Sequence, residues 1–451
     1  MSSSKKQSWN TVGKHKNKTT PKANWDKSYL NIFNYNTVIN FIIMQHPINN
    51  DLPLEQTVKQ PQNFPPASPI LADFQTIHQS FIYEEDDSTI YTDENGNQHF
   101  TILVPADCKH AYWLIRSLQD ALCGKVYHAR ILEPISTRTG EVLHTQDDSK
   151  TEPSTKWKAT PHNVAIKIMQ HSRIRDGVAD NPWKEIAVMR YIQEHAAAVS
   201  VHVHDHDTNI DDDDNATIDE MRERAEQCME QHHVMTHIEA LNNEQELCIV
   251  MPYCDGGEMS NAVPEAGITE PEARGFMLQL LAALDFLQGA ELCHRDLGLE
   301  NIMITSNRQG EPHLVIIDFG MCTRIPYVST RCRKRRRRCK LRHRYCGKPR
   351  YMAPEVLVAN ENNSVDGHAI DVWALGPILF YMLYGNFPWE YAIATDDSFR
   401  LISAGHFGEV ADHWDLTWSD DVKALLQGMF RINPTHRLSL EQIRCHPWMN
   451  R

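Results

Sequence analysis

Short runs of alternating apolar and polar residues come first in this chain, and longer runs with helical spacing follow. Ala111 to Leu118 and Lys125 to Leu132 are β-rich, with a turn expected at Gln119 to Gly124. Val164 to Met169, Val234 to Leu241 and Glu246 to Tyr253 are further predicted strands. Pro182 to Glu194 is predicted helical, with Ile186, Met189 and Ile192 on one face. Beyond residue 270 the pattern turns mainly helical. Thr269 to Gln288 and Ala369 to Tyr384 both carry long apolar periodicity, and the second is apolar almost all round, as a buried central helix would be. Strands followed by helices point to an α+β fold. Polar inserts are expected at 133–160, read as a hairpin, and at 196–230, the second holding His202, His204, His206 and Asp211 to Asp214 and read as a solvated loop.

Composition sharpens this. The 451 residues are 41% apolar, enough for a large core, so a wholly disordered chain is excluded. The longest apolar run, near Val38 to Met44, is too short to span a bilayer. No secretory leader is expected from the first residues, so the 11 cysteines are read as reduced thiols in the cytoplasm or nucleus. The net charge of −14 hides segregation: residues 1–25 hold six lysines and no acid, and read as a disordered tail. Prolines crowd residues 50–70 like a linker, so residues 1–105 are expected to be poorly structured, with a compact domain over 110–450.

Chemistry concentrates in two segments. In Cys293-His-Arg-Asp-Leu-Gly-Leu-Glu-Asn-Ile302, a carboxylate at Asp296 precedes an amide at Asn301. Further on, the apolar run Leu314-Val-Ile-Ile delivers Asp318 into a turn with Phe319 and Gly320. Asp318 and Asn301 offer the hard oxygens Mg²⁺ prefers, leaving Asp296 free to orient an attacking hydroxyl. Either segment alone is a common turn; both together, each after an apolar run, are hard to obtain by accident. Upstream, Lys167 lies in the strand Val164-Ala-Ile-Lys167, where an ammonium is costly unless paired, and Glu185 opening the next helix is its natural partner.

This combination resembles the protein kinase superfamily, most closely its serine/threonine branch, over about residues 110–450. The resemblance implies a bilobal fold, with a β-rich N-lobe and a helical C-lobe, using ATP and Mg²⁺ on a protein substrate. It implies Asp296 as catalytic base, Lys167 on the phosphates with Glu185 as its partner, and Asn301 and Asp318 as metal ligands. The stretch Glu246 to Glu258 resembles the hinge. It implies that Met251 borders the adenine, the Pro252 carbonyl and Cys254 amide bond it, Glu258 meets the ribose, and Val126, Ala165 and Met303 sandwich the ring, with Gly124 in the phosphate loop. Tyr351-Met-Ala-Pro-Glu355 resembles the end of the activation segment, with Glu355 paired to Arg437. Asp371 resembles the buried aspartate that fixes the catalytic-loop backbone.

Three departures stand out. Gln119 and Ala121 occupy positions where the phosphate loop usually has glycine. Gly298 replaces the usual catalytic-loop lysine, and Lys348 stands where threonine is usual. The paired loss and gain suggest that Lys348 supplies the cation from the opposite wall; the bland alternative is an exposed lysine on a slow enzyme. The insert 331–344 has Lys or Arg at ten of fourteen positions. It reads as a solvated loop, an acidic-substrate recruiter, a nuclear address or a nucleic-acid contact. Nucleic acid is a poor general partner for an acidic chain, and no membrane partner is expected. The oligomeric state is open. A protein kinase is the first function expected and a non-catalytic kinase-like scaffold the second.

Overall fold

The computed structural model describes residues 71–79, 100–121, 123–135, 156–174, 181–201, 216–325, 327–329, 336–338, 340–342, 346–358 and 364–451. An N-terminal antiparallel sheet is followed by a mostly helical region. The sheet strands are β1 (Phe74–Gln79), β2 (Phe100–Pro105), β3 (Ala111–Ala121), β4 (Gly124–Ile135), β5 (Lys156–Gln170), β6 (Glu239–Asn242) and β7 (Glu246–Pro252), in the order β1-β2-β3-β4-β5-β7-β6. The two edges of this order meet. Ala72 bridges Leu241, the Asn242 amide donates to Ala72 O (2.9 Å), and Asn243 Nδ2 donates to Phe74 O (3.5 Å). The sheet therefore curls toward a barrel, which removes exposed edges. Phe74, Tyr112, Ile131, Ile166 and Val250 share its core.

Helix α1 (Pro182–Val201) follows β5, and α2 (Ile218–His232) follows α1. The helical region is built on α3 (Glu270–Gly289) and α4 (Gly367–Tyr384). Each start has a local cause. Asn181 Oδ1 accepts from the Trp183 amide (2.9 Å) ahead of Pro182. Thr269 and Glu272 form a reciprocal capping box for α3, and Asp366 caps α4. Fourteen of the 18 residues of α4 are buried, as its apolar sequence predicted. No helix among the described residues is long and apolar enough to cross a membrane.

The structure departs from the sequence expectations in four places. β1 and β2 lie within the 1–105 stretch expected to be poorly structured, because Phe100-Thr-Ile-Leu-Val carries enough apolar area to pair and bury. β3 continues through Gln119 to Ala121, where a turn was expected; Ala121 pairs with Gly124. The predicted strand at Val234 shrinks to Glu239–Asn242, because the preceding residues instead bridge to Ile316. The hairpin expected at 133–160 agrees with the structure at its base, where β4 and β5 pair antiparallel out to Ile135 and Lys156; residues 136–155 lie outside the described residues. The 196–230 insert is helical at both ends: α1 runs on through Ala196-Ala-Ala, and α2 starts at a capping box made by Thr217 and Glu220. Ile218, Met221 and Ala225 of α2 pack into the barrel core. The His202–His206 tract and Asp211–Asp214 lie outside the described residues, as does most of 331–344.

One buried side chain sets a pH dependence. His237 is 7% exposed and its Nδ1 is buried without a hydrogen-bond partner. Burial, aided by the positive charge of Arg190, lowers its pKa to about 4. The unfolded chain, with an ordinary histidine, binds more protons between that value and about 6.5. Stability from this group is therefore complete above pH 6.5 and falls as pH drops toward 4, by roughly 3 kcal/mol in all. Thermal melts of wild type and His237→Gln across pH 4–7 check this. The variant should show a shallower fall in Tm below pH 6.5, and an unchanged slope would contradict the assignment.

Candidate active site

Alternation along β5 decides where Lys167 points. Ile166 and Ile168 enter the barrel core, so Lys167 leaves by the other face. There its Nζ meets Glu185 Oε2 at 2.7 Å, with side chains 15% and 3% exposed. Glu185 stands in the first turn of α1, where a carboxylate also favours the helix dipole.

The segment that carries Asp296 leaves β8 (Leu292–Cys293) and is held from beneath by α4. Asp371, 2% exposed, accepts the His294 amide on Oδ2 (2.8 Å) and the Arg295 amide on Oδ1 (2.9 Å). Arg295 sits at φ +70°, a left-handed kink that turns successive amides to one carboxylate. The His294 ring reaches Ile317 O (3.0 Å), and the Ile317 amide donates to Asn301 O (2.9 Å). The two motif segments are thus bonded to one another. Asp318 also has a left-handed backbone, φ +64°, and accepts the Gly320 amide (3.2 Å).

Asp296 is the hub. Asn301 Nδ2 donates to its carbonyl (2.8 Å) and to its Oδ2 (3.0 Å), and Lys348 Nζ lies 3.2 Å from the same Oδ2. The other oxygen, Oδ1, is out of solvent with no hydrogen-bond partner. An acceptor left unsatisfied at a site is one that a hydroxyl donor would satisfy. Burial pushes the Asp318 carboxyl up, but Lys167, the Gly320 amide, His294 and Lys348 together outweigh it and hold the pKa below the ordinary value. Lys348 therefore faces both acids.

Gly298 is closed in. A Cβ there would lie 2.8 Å from the Tyr351 ring and 2.9 Å from Glu300 Oε2. Tyr351 OH accepts the Leu299 amide (3.1 Å), a contact that sequence reasoning missed because only the motif around Tyr351 was legible. Arg437 forks onto both Glu355 oxygens at 2.8 Å and stacks over Trp373, which fixes the end of the segment carrying Lys348.

The hinge candidates fall on neighbouring strands. Val126 pairs with Lys167, Ala165 with Met251, and Val164 with Pro252. Met303 of β9 (Ile302–Ser306) pairs with Glu258. Val126, Ala165, Met251 and Met303 are half-buried, whereas Val164, Ile166, Val250 and Ile302 beside them are fully buried. That leaves an apolar lining short of cover, which suits a flat aromatic ligand. Cys254 is buried, and burial, with Asp255 adding to it, pushes its thiol up to about 12. Gly124 has a structural reason of its own: a Cβ would fall 1.8 Å from Ile168 O on β5.

Residues 194–449 match the family described as Protein kinase domain. Lys167 and Glu185 precede that match. Among curated relatives, the chain is 31% identical to CBL-interacting protein kinase 10 of Oryza sativa subsp. japonica over 47% of this chain and 42% of that protein. It is 30% identical to serine/threonine-protein kinase chk1 of Schizosaccharomyces pombe over 46% of this chain and 38% of that protein. With NUAK family SNF1-like kinase 1 of Mus musculus it shares 28% over 48% and 30% respectively. The chain spans less than half the length of each of these relatives.

Proposed function

Because this chain belongs to the protein kinase family, we propose that it transfers the γ-phosphoryl group of ATP to a protein hydroxyl, with Ser or Thr as acceptor. Lys167, steadied by Glu185, holds two phosphates. Asp318 and Asn301 would hold Mg²⁺, which prefers hard oxygens such as theirs. The cation shields phosphate charge when bound. Asp296 accepts the hydroxyl proton, and Lys348 offsets charge on the transferred group, the part that Gly298 cannot play. Met251, Pro252, Cys254 and Glu258 meet the nucleoside, with Val126, Ala165 and Met303 about the ring. The observation that carries this reading is the bonded cluster of Asp296, Asn301 and Lys348.

The second reading, a binding scaffold that does not transfer phosphate, is favoured by the loss of side chain at 298 and of two loop glycines. Transfer of radiolabelled γ-phosphate to a generic protein substrate separates them. Wild type should label Ser or Thr, and Asp318→Ala should label at background. Equal labelling by the two removes the enzyme reading. The nine free thiols among the described residues fit a reducing compartment, cytoplasm or nucleus. The basic insert fits a substrate with acidic segments near its acceptor.

A further inference from the structure

We propose that Glu291 and Arg324 form a positioning clamp that sets the Glu185-bearing helix α1 against the catalytic loop; the idea rests on the kinase reading above. Glu291 lies between α3 and β8, three residues before His294, at φ +60°. Side chains rarely adopt that region and glycine adopts it freely. A glutamate there needs a reason, and its carboxylate supplies one: Arg324 Nε and Nη2 both donate to Glu291 Oε2, at 3.2 and 2.9 Å. Arg324 belongs to β10 (Thr323–Arg324), six residues past Asp318, and β10 pairs with β8. The Ile325 amide donates to Glu291 O (2.6 Å), which closes the same corner.

The third side of the corner is α1. The Arg324 guanidinium lies 5.3 Å from the centre of the Tyr191 ring, and Tyr191 OH donates to Ala290 O (3.2 Å). Tyr191 stands six residues past Glu185 on α1, about 9 Å along the helix. The Glu291 charge also reaches His195 of α1. Through Arg324, the Glu291 carboxylate therefore joins the strand entering the catalytic loop, the segment leaving Asp318 and the helix whose Glu185 holds Lys167. Removing it releases the Arg324 guanidinium from its seat over Tyr191 and leaves the Tyr191 hydroxyl on Ala290 O to hold α1 at this corner, which loosens the Lys167–Glu185 pair without touching the reacting groups.

The clamp predicts a split between stability and activity. Glu291→Gly relieves the backbone conformation while deleting the carboxylate. It should melt at or above the wild-type temperature, yet lose about threefold or more in kcat/KM for ATP, within the range that coupling through a packed network reaches. Arg324→Met should lose as much, and the double variant no more than either single. Affinity for Mg²⁺ with the non-hydrolysable analogue AMP-PNP should weaken in parallel. Wild-type kinetics and wild-type AMP-PNP affinity in Glu291→Gly overturn the clamp. So do additive losses in the double variant, or a loss that tracks a lowered Tm. If wild type transfers no phosphate, the kinase reading fails, and AMP-PNP affinity alone then decides the clamp.

Discussion

Lys348→Ala should lower kcat about a hundredfold, the cost typical of removing one preorganised charge from a developing oxyanion. The catalytic loop itself carries no cation after Asp296, since Gly298 has no side chain and the Tyr351 ring fills the space where one would begin. The ammonium of Lys348 lies 3.2 Å from Asp296 Oδ2 and its charge is felt at Asp318, so it comes to the same place from the activation segment. KM for ATP should stay near the wild-type value, because Lys167 rather than Lys348 is assigned the bound phosphates. Steady-state kinetics decide the matter. A wild-type kcat in Lys348→Ala would return Lys348 to an exposed lysine on a slow enzyme.

Lys167→Met should be more damaging, about a thousandfold in kcat/KM, and should also lower stability. It deletes the phosphate cation and takes the ammonium at 2.7 Å from Glu185, whose side chain is 3% exposed. Breaking a buried ion pair from one side costs up to about 3–5 kcal/mol, because the remaining buried charge loses its ammonium. Exchanging both partners for apolar residues removes that penalty. Lys167→Met with Glu185→Leu should therefore regain most of the Tm lost by Lys167→Met while staying inactive. Thermal melts and initial rates on the three variants check this. Activity returning together with stability would show that the pair is only structural.

What was legible in the sequence follows the range of the interactions concerned. The segments around Asp296 and Asp318 were readable because each is compact and follows an apolar run, and the structure bonds them through His294, Ile317 and Asn301. The juxtaposition of Lys348 with Asp296, 52 residues apart, could be anticipated only because a residue lost from one wall was matched by one gained on the other. The closing of the sheet by Ala72 and Leu241 left no such trace, since a backbone bridge carries no side-chain signature. Helix α2 was hidden by the acidic tract before it. Its capping box and the spacing of Ile218, Met221 and Ala225 were present in the sequence but were read as part of a solvated loop. Glu291 gives no sign in sequence of its left-handed backbone.

The central claim is that Lys167, Asp296, Asn301 and Asp318 surround one nucleotide with its metal ion. Calorimetric titration of wild type with ATP analogue AMP-PNP, with and without Mg²⁺, tests it most directly. One site per chain is predicted, dependent on Mg²⁺ and weakened at least tenfold by either Lys167→Met or Asp318→Ala. Binding that ignores Mg²⁺ and both substitutions would contradict the account.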